Sequence, residues 1–249
     1  MTDFPELFDL LVESAGPAKI VRNGATYHYD IYQGTDEWYA ARRGILTASE
    51  MSLILTPTLK AANNDKTRAH LWELLAQRIS GYVEPRYIGD EMIRGHDDEL
   101  RARKLYAEKF APVEEVGFVT RDEWGFTIGY SPDGLVGDDG LIEIKSRRQK
   151  FQVETILQNA PPAEYQIQIQ TGLKVTSRQW CDFISYHGGL PMVVYRVHPD
   201  PKMQEAIVEA AAAFEATIAE KMDAWRERIA TDAALIPTER VIEQEMYVA

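Results

Sequence analysis

The stretch from Ser131 to Arg148, SPDGLVGDDGLIEIKSRR, constrains the fold of this 249-residue chain more tightly than any other. Gly137, Asp138, Asp139 and Gly140 separate two apolar runs, which is how a tight hairpin turn reads in sequence. In the second run Ile142 and Ile144 alternate with Glu143 and Lys145. Successive side chains of a strand point to opposite faces, so the isoleucines enter a core while the acid and the lysine share the other face. Closing the hairpin brings Asp133 within about one residue of cross-strand register with Glu143. Two carboxylates and an ammonium then converge.

Carboxylates that close repel, and each raises the proton affinity of the other unless a cation lies between them. An all-oxygen donor set suits a hard divalent ion, Mg²⁺ first, with Mn²⁺ as a substitute. Lys145 on the same face could stabilise charge developing on a phosphate or orient the attacking water, so the pattern fits hydrolysis of a phosphodiester. The plainer reading is a surface hairpin with acids near its turn and a solvated lysine. The segment leaves both open.

Around the hairpin the chain alternates helix and strand signals. Helices are expected over Phe4–Glu13, Asp36–Arg43, from Thr47 or Ser49 through the run TASEMSLIL, and over Asp65–Ser80, where Gly81 stops the turn. A longer helix runs through DEMIRGHDDELRARKLYAEKF despite Gly95. The runs ATYHYDIYQG, EEVGFVT, GFTIGYS and GLIEIKS read as strands, and QWCDFISYHG with MVVYRVH as a hairpin across Gly188–Gly189. PPAEYQIQIQTGLKV is ambiguous: the glutamines alternate as in a strand, while Pro161–Pro162 suits a helix start. The alanine-rich run from Gln204 to Ile229 is an amphipathic helix with a packing role.

No Pro/Gly/Ser-rich linker divides the chain, so a single α/β domain over residues 1–249 is expected, with its motifs between about 34 and 198 and a C-terminal helix and tail from about 200. One cysteine, Cys181, excludes an intrachain disulfide and any Cys-built metal centre. No apolar run approaches the ~18 residues of a membrane span, and the N-terminus lacks the basic start of a secretion signal, so a cytoplasmic protein is expected. The net charge of −12 argues at first sight against a nucleic-acid partner.

Several separated motifs bear on that objection. WYAARRGILTASE runs from Trp38 to Glu50; GHDDE places Glu99 after Gly95; SPDGL and LIEIK hold Asp133, Glu143 and Lys145; and YQIQIQTGLKVT follows. In this order the set resembles the phage lambda exonuclease family, the YqaJ-like viral recombinase nucleases of the PD-(D/E)XK superfamily. The resemblance implies a restriction-endonuclease-like α/β core, a central mixed β-sheet flanked by helices. It also implies a Mg²⁺-dependent 5′→3′ exonuclease that digests linear double-stranded DNA and leaves a 3′ single strand for recombination. Alternatives are a site-specific endonuclease with the same centre, which would need a separate base-reading element, or a catalytically inactive DNA-end-binding protein.

Carried over by position, Asp133, Glu143 and the Ile144 backbone carbonyl would hold the metal, Lys145 would serve catalysis, and Glu99 would be a further acid near the metal. Spacing alone favours a solvated Glu99 beside Asp97, Asp98 and Arg103. Arg42, Ser49, Ser131 and Gln168 match positions that grip the 5′-phosphate of the digested strand, a sensible set because an Arg fork and hydroxyl or amide donors suit phosphate oxygens. Tyr165, Gln166 and Gln170 have weaker claims, and His96 could approach the metal. A basic residue expected after the Thr-Ala-Ser segment has no clear equivalent, unless Lys60 substitutes. The resemblance further implies a homotrimeric ring around DNA and a single-strand annealing protein as partner. In a ring, an acidic exterior need not oppose a basic site, and Arg42, Arg43, Arg101, Arg103, Lys104, Arg147, Arg148 and Lys150 flank the motifs.

Overall fold

The computed structural model describes residues 19–84, 90–232 and 234–240. The helix expected over Phe4–Glu13 lies outside them. Strands β1 (Lys19–Arg22) and β2 (Ala25–His28) form a hairpin, followed by helix α1 (Asp36–Arg42) and the two-residue β3 (Leu46–Thr47). Helices α2 (Asp65–Ser80) and α3 (Asp90–Lys109) come next, then strands β4 (Phe118–Arg121), β5 (Ile128–Tyr130), β6 (Gly134–Val136) and β7 (Gly140–Ser146). Helices α4 (Gln149–Gln158) and α5 (Gln166–Thr176), strands β8 (Trp180–Tyr186) and β9 (Val193–Val197), and helix α6 (Pro201–Thr231) complete the order.

The strands form two mixed sheets flanked by helices. One has the order β1-β2-β4-β5-β3, with β3 parallel to β5; the other has β6-β7-β8-β9, with β7 parallel to β8 and the remaining pairs antiparallel. The fold class expected from the sequence is thus present, with the sheet in two parts. The strand read over ATYHYDIYQG is shorter, ending at His28, and the segment after Thr47 is a 3₁₀ turn over Ala48–Leu53. The capping box takes a different form there: Thr47 makes no side-chain cap bond, and its hydroxyl donates to Glu50 at 2.7 Å.

Asn64 caps α2 by accepting from the backbone N–H groups of Lys66 and Thr67, and Gly81 ends the helix in the left-handed conformation, φ 64°. The alternation in β7 works as read. Ile142 and Ile144 are fully buried with Ala102 and Tyr106 of α3, while Leu141 joins the larger core with Phe183 and Cys181. That larger core also buries Ile167, Ile169 and Leu173 of α5 and Ile207, Phe214 and Ile218 of α6. Among the described residues no helix is long and apolar enough to cross a membrane.

Candidate active site

The hairpin register places Gly134 opposite Ile142, so Asp133, one residue earlier, enters the sheet beside Glu143. Its Oδ2 accepts from the Ile144 N–H at 2.5 Å. The N–H and C=O of one strand residue point to the same side, so the Ile144 carbonyl also faces the Asp133 side of β7. Asp133 and Glu143 are both buried, and Lys145 lies with its Nζ 2.7 Å from Glu143 Oε1. Gln168 of α5 donates to the same oxygen at 2.5 Å, and Tyr130 at the end of β5 donates to Oε2 at 2.9 Å. Both oxygens of Glu143 are therefore oriented by neighbours.

The solvated position that spacing favoured for Glu99 is not what the fold produces. Ala102 and Tyr106 turn one face of α3 onto β7, and Asp98 and Glu99, one turn earlier, share that face. Asp98 accepts from the Ser146 hydroxyl at 2.7 Å, which pins the helix against the end of β7. Glu99 and Asp133 line one cavity of about 160 Å³ with His96 and Gln33.

Burial raises the proton affinity of Glu99, with Lys145 opposing it and Glu143 adding to it. Burial likewise holds the Asp133 carboxyl well above its ordinary range, reinforced by the charges of Glu143 and Glu99. Burial acts to lower the Lys145 ammonium, but Glu143 and Asp133 outweigh it and hold the group above its ordinary value. Two buried acids and the half-buried Glu99 against one ammonium make a site that favours a further cation. Among the described residues no three Asp, Glu, His or Cys groups already form a metal cage. The donor chemistry fits a hard divalent ion nonetheless: Asp133, Glu143, the Ile144 carbonyl and Glu99 supply oxygens only, and their mutual repulsion is what such an ion relieves.

A second cluster adjoins the first. Arg42, at the C-terminal end of α1, donates to Ser131 at 3.2 Å, to Thr47 at 3.2 Å and to Ser49 at 3.4 Å. Its guanidinium lies 4.2 Å from the centre of the Trp38 ring, and the Trp38 indole N–H donates to Ser131 at 2.8 Å. The structure thus joins Arg42, Ser49 and Ser131 as expected. The Gln168 amide donates to Glu143, at the acid end of the site. Gln170 serves packing, donating to the His198 carbonyl and accepting from the Asp200 N–H, both at 2.8 Å.

Three contributors escaped the sequence reading. Trp38 supports Arg42, Thr47 shares its guanidinium, and Tyr130 fixes Glu143. Tyr130 is itself held by α5, because Gly172 packs so closely that a Cβ there would lie 2.6 Å from the phenol carbon bearing the hydroxyl.

A profile of the YqaJ-like viral recombinase domain matches residues 37–179. The chain is 35% identical to the alkaline exonuclease LHK-Exo of Laribacter hongkongensis, with a TM-score of 0.71 over 79% of this chain and 98% of that one. LHK-Exo in complex with dAMP gives 37% identity and the same TM-score and coverage. A phage-related exonuclease from Haemophilus somnus 129PT shares the fold at 15% identity, with a TM-score of 0.52 over 72% of this chain and 96% of that one. No curated protein matches the chain.

Proposed function

Because this chain belongs to the YqaJ-like viral recombinase family and is a DNA exonuclease, we propose that it digests linear double-stranded DNA in the 5′→3′ direction, with Mg²⁺ as cofactor and Mn²⁺ as substitute. It leaves a 3′ single strand, on which a single-strand annealing protein loads, and it works as a homotrimeric ring. The observation that carries the reading is the short link between two clusters. Ser131 touches Arg42, and Asp133, two residues on, touches Ile144. Two residues of extended chain reach at most about 7 Å, the scale of one nucleotide step. A phosphate clamp that close to the acids suits removal of one terminal nucleotide at a time.

Asp133, Glu143, the Ile144 carbonyl and Glu99 are the groups that would hold the ion. When bound, Mg²⁺ supplies Lewis acidity to the scissile phosphate and eases deprotonation of the attacking water. Arg42, Ser49 and Ser131 grip the terminal 5′-phosphate, Trp38 keeps the guanidinium planar to it, and Gln168 and Tyr130 hold Glu143 in place. Lys145 stabilises charge on the phosphate as water adds.

Water attacks phosphorus, the P–O3′ bond breaks, and the departing 3′-oxygen takes a proton. One product is a nucleoside 5′-monophosphate, the chemical class of the dAMP bound by LHK-Exo. The other is a strand beginning with a new 5′-phosphate, so each cut regenerates the group that Arg42 grips.

The deciding experiment is digestion of a linear duplex labelled at either end, with and without Mg²⁺ and with a 5′-phosphate or 5′-hydroxyl. Early release of the 5′ label, dependent on the ion, is expected. Early release of the 3′ label, or cutting of a closed circle, would sink the reading.

A further inference from the structure

Immediately beyond Lys145 the chain builds a second, larger recess. It has a volume of about 660 Å³ and lies between the end of β7, helix α4 and the Arg94 face of α3. Arg147 is its centre. The side chain is 9% exposed, lies 5.1 Å from the Phe151 ring and 5.3 Å from the Tyr165 ring, and donates to Glu164 and to the Tyr165 hydroxyl, each at 2.6 Å. Its Nε is buried and has no hydrogen-bond partner, and the same holds for Nε of Arg94, which lines the recess from the opposite wall. Those two Nε groups are enclosed by protein, and the guanidiniums that carry them bring two positive charges to the walls of one recess.

Helix α4 reinforces this. Arg148 stands at its N-cap without a side-chain cap bond, and its first turn carries no acid. Backbone N–H groups and the positive end of the helix dipole therefore add to the arginines. Phe151 keeps 37% of its surface exposed beside Lys150, whose ammonium lies 4.6 Å from the ring centre. The acids of the recess are Glu164, neutralised by Arg147, and Glu154, which accepts from Gln158 at 3.2 Å. The recess opens beside the reaction centre, since the Tyr165 ring centre is 5.4 Å from Lys145 Nζ.

Guanidinium donors tracking phosphates and an exposed aromatic face for a base are how proteins hold a single strand without reading its sequence. A duplex hides its base faces in the stack. We infer that the recess between Arg94, Arg147, Arg148 and Phe151 binds unpaired DNA, namely the strand that digestion leaves behind. The choice of strand rests on the exonuclease reading; the binding of a single strand does not.

The test uses the full chain in EDTA, which prevents cleavage, and a fluorescent single-stranded oligothymidine read by anisotropy across a salt series. Arg94→Ala with Arg148→Ala should weaken binding about tenfold or more and reduce the slope of log affinity against log salt by about 1.4. Phe151→Ala should weaken it about 5- to 150-fold, and Phe151→Trp should retain it. Unchanged melting temperature in each variant keeps the comparison to binding.

Wild-type affinity and slope in the double variant would overturn the inference. So would displacement of the oligomer by free dAMP at equal nucleotide concentration, which would make the recess a product site. Equal loss of blunt duplex binding would assign it to the duplex and overturn it as well. Because the readout needs no cleavage, failure here leaves the exonuclease reading standing, and a chain that cut nothing could still bind the strand through this recess.

Discussion

Lys145 and Glu143, two residues apart on one face of β7, are bonded to each other, with Nζ 2.7 Å from Oε1. The ammonium therefore offsets charge on Glu143, one of the three acids gathered at the site. Lys145→Ala should abolish cleavage, a loss of at least about 100-fold, because the charge it stabilises appears only as the phosphate reacts. Affinity for DNA ends, measured by anisotropy in EDTA, should change little. Wild-type cutting by the variant would return the hairpin to a merely structural role.

Asp133 gives a stability prediction with a sign. Its carboxyl is held well above the ordinary 3.8 by burial, then by Glu143 and Glu99. The folded chain thus keeps a proton that the unfolded chain releases, and stability falls as pH rises from about 4 through the raised value. Without metal, Asp133→Asn should flatten this slope to the part owed to Glu99 and melt higher than wild type at pH 8, by about 2–4 °C if about 1 kcal/mol of repulsion is relieved. Mg²⁺ should stabilise the wild type increasingly with pH and leave the variant unmoved. Melting curves with EDTA or Mg²⁺ at several pH values decide it, and a variant that gained as much from Mg²⁺ as wild type would remove Asp133 from the ligand set.

Arg42 separates an end-processing enzyme from a general nuclease. A bidentate contact between arginine and phosphate contributes roughly 1.5–3 kcal/mol, so Arg42→Ala should slow digestion of 5′-phosphorylated duplex about 10- to 150-fold and affect 5′-hydroxyl duplex little. Arg42→Lys keeps the charge and loses the fork, and should stay well below wild type. Equal slowing on both substrates would dismiss the terminal-phosphate assignment.

The ring is checked by mass. Light scattering should give three times the 28.3 kDa of one chain. A monomer mass would remove the ring and restore the objection that a chain of net charge −12 must hold a polyanion.

The elements that were legible in the sequence are those whose pattern and burial agree. In β7 the isoleucines are buried and the charged residues share the working face, so alternation gave both strand and site. Helix α4 inverts this relation: Gln152 and Thr155 are its buried residues, while Leu157 is 79% exposed and Val153 42%. No apolar face marks it as a helix, and it was not foreseen.

In α5 the alternation of Ile167 and Ile169 with glutamines mimics a strand. The segment is helical and enclosed on most sides, with Gln168 turned to Glu143 and Gln170 to the start of α6. Glu99 was misjudged from spacing because its burial depends on Ala102 and Tyr106 docking on β7, a tertiary fact. Tyr130 was invisible for the converse reason: a tyrosine ending an apolar strand reads as core, and only the assembled fold sets its hydroxyl on an acid.

Helix α5 is held to the C-terminal helix and to the reaction centre by neighbouring residues. Gln170 is bonded to His198 and Asp200 at the root of α6, Gln168 to Glu143, and Gly172 backs the ring of Tyr130. Replacing Gln170, which leaves the apolar face of α6 in the core, would thus slacken a lever whose other end rests on Glu143. The damage would register first as lost turnover in a chain that still folds, so the part of the sequence poorest in recognisable motifs acts as the tensioner of its chemistry.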